Sequence, residues 1–164
     1  MFSEILKEKS ALLLEECRVA SKILVTAESC TGGLVSACLT EIPGSSDVFT
    51  HGFVTYSNNT KIEILNVSAN LIERAGAVSE EVAVAMALGA LAGTPAHLSL
   101  AVTGVAGPGG GTVEKPVGLV HFAVAARNTT TSHKKIIIPG ERSVVRMTSV
   151  SIALDMLLES IRHL

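Results

Sequence analysis

The chain has 164 residues, enough to bury a sizeable core, and residues 1–164 read as a single domain. Hydrophobic residues make up 48% of it but aromatics only 3%, so the core must be built from Val, Ile, Leu and Ala, as in a sheet covered by helices. A formal net charge of −2 argues against the broad basic face that nucleic-acid binding uses, and nucleic acid is not an expected partner.

Three cysteines, Cys17, Cys30 and Cys38, have no C-x-x-C spacing and read as reduced, mostly buried thiols of a cytosolic protein. The five histidines are scattered without metal-ligand spacing, so no protein-ligated metal is expected. The N-terminal segment mixes acids and bases with its leucines and does not read as a signal peptide. The uncharged stretch from Val82 to Val113 is cut by Gly93-Thr94-Pro95 and by the glycines from Gly107. Its pieces fall below the roughly 20 apolar residues of a membrane span, so no membrane partner is expected.

In chain order, helical spacing of Phe2, Ile5, Leu6, Leu13, Cys17 and Ala20 predicts an amphipathic helix. The β-branched run Ile23–Thr26 predicts a buried strand, followed by the polar turn Ala27–Cys30 and a small-residue helix from Gly33 to about Thr40. Pro43-Gly44 stops that helix, and Gly44-Ser45-Ser46-Asp47 is a second polar turn. Phe49–Tyr56 predicts a strand with Gly52 as a bulge; short helices follow over KIEIL and from Val67-Ser68 to about Arg74. Ser79 reads as the N-cap of an apolar helix from Glu80 to Leu91. His97–Thr103 is a strand that runs into the loop Gly104–Gly111. Val117–Ala126 and Lys134–Ile138 form a hairpin, and a last helix covers about Glu141 to Arg162. The alternation predicts a three-layer α/β/α domain with a mixed, mostly parallel sheet.

No G-x-S-x-G elbow, Walker A loop or helix-opening G-x-G-x-x-G is present. The chain offers instead hydroxyls, glycine turns and one well-placed lysine. Ser29, Thr31, Ser45, Ser46, Tyr56 and Ser57 lie on strand ends or turns, in a span closed by Lys61. A serine needs a base to become a nucleophile, and with no candidate histidine nearby in sequence Lys61 is the available one if burial or a neighbouring positive charge lowers its pKa. Such a Ser–Lys pair suits acyl transfer, with backbone N–H groups of Gly44-Ser45-Ser46 as candidate oxyanion donors. The turn Thr31-Gly32-Gly33 lets a ligand approach the backbone, although an ordinary βα connection uses the same glycines for packing alone. Glu28 can orient a substrate, pair with Lys61 or cap the following helix. Arg142 and Arg146, four apart at a helix N-terminus, suit an anion or a solvated basic face.

At these residues the sequence resembles the C-terminal domain of the CinA family, whose stand-alone form is nicotinamide-nucleotide amidohydrolase. The resemblance is carried by Thr26–Gly33 (TAESCTGG), Gly44-Ser45-Ser46, Gly52–Asn58 (GFVTYSN) and Lys61. It continues through Gly76–Ser79, Thr103–Pro108 (TGVAGP), Lys115–Gly118 and Pro139–Arg142, over almost the whole chain. Larger members carry a further molybdopterin-binding-like domain, for which 164 residues leave no room. The resemblance implies cofactor-free hydrolysis of nicotinamide mononucleotide to nicotinate mononucleotide and ammonia in a cytoplasmic homodimer. It implies a Ser–Lys dyad, mapped here to Ser46 and Lys61 with Tyr56 assisting and Ser29 as the competing nucleophile. Thr31, Gly32, Gly33, Thr103, Gly104 and Gly107 then cradle the ligand beside Glu28 and Ser45, and Arg142 or Arg146 meets phosphate. A non-catalytic nucleotide-binding or protein-interaction module is the alternative. An intact hydroxyl cluster beside a lysine favours the enzyme.

Overall fold

The computed structural model describes residues 2–164. Helix α1 (Glu4–Val19) starts at Ser3, whose hydroxyl accepts from the Leu6 N–H, and buries Leu6, Leu13, Leu14 and Cys17. Strand β1 (Leu24–Glu28) is buried along its whole length, as expected of a central strand covered on both faces. Helix α2 (Leu34–Thr40), a 3₁₀ turn (Ser45–Asp47), strand β2 (Phe49–Val54) and helices α3 (Asn58–Leu65), α4 (Ala69–Ala75) and α5 (Glu80–Ala92) follow. Strands β3 (Leu98–Gly104), β4 (Leu119–Ala126) and β5 (Ser132–Ile137) complete the sheet, and helix α6 (Arg142–Ile161) ends the fold. Every expected element is present.

The sheet order is β2-β1-β3-β4-β5. β2, β1 and β3 pair in parallel, β4 runs against them, and β5 pairs antiparallel with β4, so four of the five strands point one way. Alternation along the strands splits the core. Leu24, Leu100, Val102, Val120 and Phe122 face the layer of α1, α2 and α6. Val25, Ala27, Ala101, Ala123 and Ala125 face the layer built on α5. The alanines let α5 lie close to the sheet. On that side His121 and His133 stack with Nδ1 and Nε2 3.0 Å apart, and His133 Nδ1 lies 3.3 Å from Glu80.

One detail differs from expectation. The register shift between β1 and β2 falls at Thr50, since Leu24 pairs with Phe49 and Val25 with His51. Gly52 is therefore not the bulge; it is where α2 approaches β2, because a Cβ there would lie 2.5 Å from Ser36 Oγ. No helix among the described residues is long and apolar enough to cross a membrane.

The chain leaves β1 towards β2 on one side and β3 towards β4 on the other. The crevice beyond the carboxyl ends of β1 and β3 is thus the switch point at which open α/β sheets bind ligands. Ser29 follows β1, and Gly104 ends β3.

Candidate active site

Ser29 is held at this edge by its own N–H, which donates to Val102 O at 2.9 Å. Lys61 approaches from α3, whose start is fixed by a capping box between Ser57 and Thr60. Its side chain turns back over the helix start, and the residue is only 1% exposed. Lys61 Nζ lies 3.1 Å from Ser29 Oγ, 2.9 Å from Thr55 O and 3.5 Å from Ser57 O. No carboxylate pairs with it among the described residues. Burial pushes its pKa below the usual 10.5, opposed by Cys30. Cys30 is itself a neutral thiol at pH 7, its pKa pushed up to about 12 by burial, so it supplies no counter-charge there.

The chemistry follows from the donor count. A neutral amine has two N–H bonds and one lone pair. As an ammonium, Lys61 donates to the Thr55 and Ser57 carbonyls and to Ser29 Oγ; in the neutral form, with the two carbonyls taking its N–H groups, its lone pair would face the Ser29 hydroxyl. That is the arrangement of a base ready to take the serine proton.

Ser46 stands elsewhere. It is exposed on the 3₁₀ turn before β2, whereas Lys61 follows β2. Parallel strands put all their carboxyl ends at one edge, so the length of β2, about 20 Å at ~3.3 Å per residue, separates the two. The pairing of Ser46 with Lys61 is corrected to Ser29 with Lys61, and the Gly44-Ser45-Ser46 turn cannot serve as oxyanion donor at this edge. Ser45 is buried in that same turn, its N–H donating to Ile42 O. At the edge where Lys61 lies, the N–H groups of Cys30 and Thr31 find no oxygen acceptor among the described residues and point towards the Cys30 sulfur.

Glu28 also moves out of the ligand-binding set. It is fully buried and accepts from the N–H groups of Gly33, Val35 and Ser36 and from Ser36 Oγ, so it neither pairs with Lys61 nor faces a ligand. Gly32 and Gly33 adopt φ of +59° and +92°, the left-handed region that a side chain would strain. Thr31 is buried, and its hydroxyl has no partner among the described residues. Thr103 donates to Ala77 O at 2.8 Å and ties down the loop before α5. Gly104 and Gly107 are packing positions: a Cβ would lie 2.6 Å from Leu119 O and from Val117 Cγ1 respectively.

Both arginines converge on the site from α6. Arg142 donates to Gly107 O at 2.8 Å and to the Tyr56 hydroxyl at 2.7 Å. Arg146 donates to Cys30 O at 3.2 Å and to Thr31 O at 2.8 Å. Neither meets a carboxylate among the described residues. A cavity of about 700 Å³ opens at the two arginines, with Ala106, Pro108 and Val117 as its apolar wall beside Arg142, Ser143 and Arg146; Ser29 and Lys61 do not line it. Glu141, the N-cap of α6, makes no side-chain capping bond, so among the described residues no side chain caps the first N–H groups of this 20-residue helix. The arrangement suits an anion. Among the described residues, no group of three His, Cys, Asp or Glu side chains is arranged to hold a metal ion.

Sequence reasoning missed Thr55, Ser36 and the Cys30 and Thr31 amides. Most of these act through backbone atoms, which carry no signature in a sequence. Ser36 lies eight residues beyond Glu28 and gave no signal.

The CinA C-terminal domain model matches residues 6–161. A CinA-like protein of Geotalea uraniireducens is 51% identical over 134 residues, covering 82% of this chain and 32% of its own length. One from Mycobacterium tuberculosis is 49% identical, covering 82% of this chain and 31% of its own. The chain thus spans about a third of the curated relatives it matches. The crystal structure of competence/damage inducible protein CihA from Agrobacterium tumefaciens superposes with a TM-score of 0.96 at 42% identity, covering 99% of this chain and 98% of that one. A CinA superfamily protein from Escherichia coli gives a TM-score of 0.90 at 33% identity, covering 96% of this chain and 92% of that one. The chain belongs to the CinA C-terminal domain family.

Proposed function

We propose that this domain is a serine amidohydrolase that cleaves the carboxamide of nicotinamide mononucleotide, giving nicotinate mononucleotide and ammonia. The observation that carries the reading is the buried Lys61 amine, 3.1 Å from Ser29 Oγ and balanced by carbonyls alone. In the proposed sequence, Lys61 takes the Ser29 proton as Oγ attacks the carboxamide carbon. The Cys30 and Thr31 N–H groups receive the developing oxyanion. Protonated Lys61 then gives its proton to the leaving nitrogen, ammonia departs, and an acyl-serine remains. Water, deprotonated by Lys61, attacks that ester; Lys61 passes the proton to the departing Ser29 Oγ, and the acid leaves as its carboxylate after losing a proton to solvent. The anion-favouring corner of Arg142, Arg146 and the α6 N-terminus holds the phosphate, and Tyr56 is kept in place by Arg142.

The test is ammonia release from nicotinamide mononucleotide by wild type, Ser29→Ala, Lys61→Ala and Ser46→Ala, with chelator present. Ser29→Ala and Lys61→Ala should each lose about 10³-fold or more in kcat, since dyad members act as a unit. Ser46→Ala should turn over like wild type. If Ser46→Ala is dead and Ser29→Ala active, the assignment of the nucleophile is wrong. If wild type releases no ammonia although the nucleotide raises its melting temperature, the domain is a binding module.

A further inference from the structure

We infer that Glu28 and Ser36 together position the nucleophile turn, setting the aim of the Ser29 hydroxyl and of the Cys30 and Thr31 N–H groups without touching substrate. The inference rests on the serine-hydrolase reading above. The turn is an arch pinned at both feet. At its start, Ser29 N donates to Val102 O of β3, and the Glu28 carbonyl accepts from Thr55 N beyond β2, both at 2.9 Å. At its end, the Glu28 side chain reaches over the arch and takes the Gly33 N–H at 3.0 Å. Between the feet lie Ser29, Cys30, Thr31 and Gly32, closed on themselves by the Gly32 N–H to Ser29 O bond at 3.0 Å.

The carboxylate has no cation beside it among the described residues. A buried carboxylate is tolerable only when donors replace its water, and this one takes four at 2.6 to 3.0 Å. The shortest comes from Ser36 Oγ. Because Ser36 spends its proton on the carboxylate, the Thr26 hydroxyl 2.8 Å away must donate to Ser36, which fixes the direction of the chain. Gly52 completes the set from β2: a Cβ there would stand 2.5 Å from Ser36 Oγ. The arch is therefore held by β1, α2 and the empty space at residue 52, none of which lines the cavity.

The experiment compares Ser36→Ala, Gly52→Ala, their double variant and Glu28→Gln. It reads kcat and KM on nicotinamide mononucleotide, calorimetric affinity for nicotinate mononucleotide, and the rate at which a fluorophosphonate labels Ser29, followed by mass spectrometry. In labelling, Ser29 Oγ bonds to phosphorus, fluoride leaves and Lys61 takes the serine proton. Ser36→Ala and Gly52→Ala should each lower kcat and the labelling rate about tenfold while KM and product affinity stay within about twofold. The double variant should be no slower than Ser36→Ala alone. With the hydroxyl gone, the closest approach of the new methyl relaxes from 2.5 Å to 3.1 Å, at the residue 36 Cβ, with Phe49 Cζ at 3.4 Å. Glu28→Gln should be slower still, and if it fails to fold Ser36→Ala decides.

Wild-type rates in Ser36→Ala, a loss confined to KM, or losses that add in the double variant would each overturn the inference. Wild type that labels at Ser29 but releases no ammonia would displace the substrate assignment and leave the arch to be judged by labelling. Wild type that does neither removes the serine nucleophile, and the positioning role with it.

Discussion

At Lys61 the chain buries an amine among carbonyls and a hydroxyl, with no carboxylate among the described residues to hold its charge. Burial favours the neutral form, so the folded pKa lies below 10.5. In the proposed mechanism Lys61 is the base, and it works only when neutral. Activity should therefore fall as pH drops through that lowered pKa and level off above it, with a midpoint below 10.5 in kcat/KM for the mononucleotide. Lys61→Arg, which stays charged, should show no such rising limb. A profile with no rising limb anywhere below pH 10.5 would remove Lys61 as the base. Residue types pointed to this lysine in the sequence, but its serine partner was not legible. Ser29 and Ser46 differ in which edge of the sheet they occupy, and that depends on strand direction. Since β1 and β2 are joined through α2, they must run parallel, and that argument separates the loop after β1 from the turn before β2.

At the scale of elements, the hairpin of β4 and β5 carries a titrating group into the α5 face. The His121 pKa is lowered from 6.5 to about 4, first by burial and then by His133, Lys135 and Lys115, with Glu81 pulling the other way. The unfolded chain thus takes a proton that the folded one refuses. Stability is intact above pH 6.5 and declines as pH falls towards 4, by up to about 3 kcal/mol at ~1.4 kcal/mol per unit. Urea unfolding at pH 7.5 and 4.5 should show this loss in wild type and a smaller one in His121→Leu; equal losses would mean that His121 is not responsible. Elements themselves were legible because their signals are local. Ser79 followed by Glu80 and Glu81 marks the start of α5, where the Ser79 hydroxyl does accept from Val82 N–H. The Glu28 contacts were not. A carboxylate in a turn between strand and helix reads as ligand-facing, and only the path of α2 shows that its oxygens are filled.

Over the whole molecule, α6 links the loops that follow β1, β2 and β3 through two side chains, Arg142 and Arg146. If they receive phosphate, Arg142→Ala and Arg146→Ala should each narrow the preference for nicotinamide mononucleotide over nicotinamide riboside by about tenfold or more, the worth of a charge-assisted hydrogen bond. An unchanged ratio of kcat/KM values would move the phosphate elsewhere. The three-layer architecture was legible because alternating strand and helix signals admit few topologies. This convergence of α6 on three separate loops was not, since it rests on contacts spanning up to 116 residues.

Those arginine ties have a further consequence, in the mobility of the empty protein. A free arginine side chain carries about 2 kcal/mol of rotamer entropy, which binding would ordinarily have to remove. Here the carbonyls of Cys30, Thr31 and Gly107 have immobilised both side chains during folding. Each guanidinium still has donors to spare, because five N–H bonds are available and two are engaged. An incoming anion meets a receptor already frozen in shape, so its affinity reflects contact rather than ordering. The empty and occupied forms of the site should then differ little in structure.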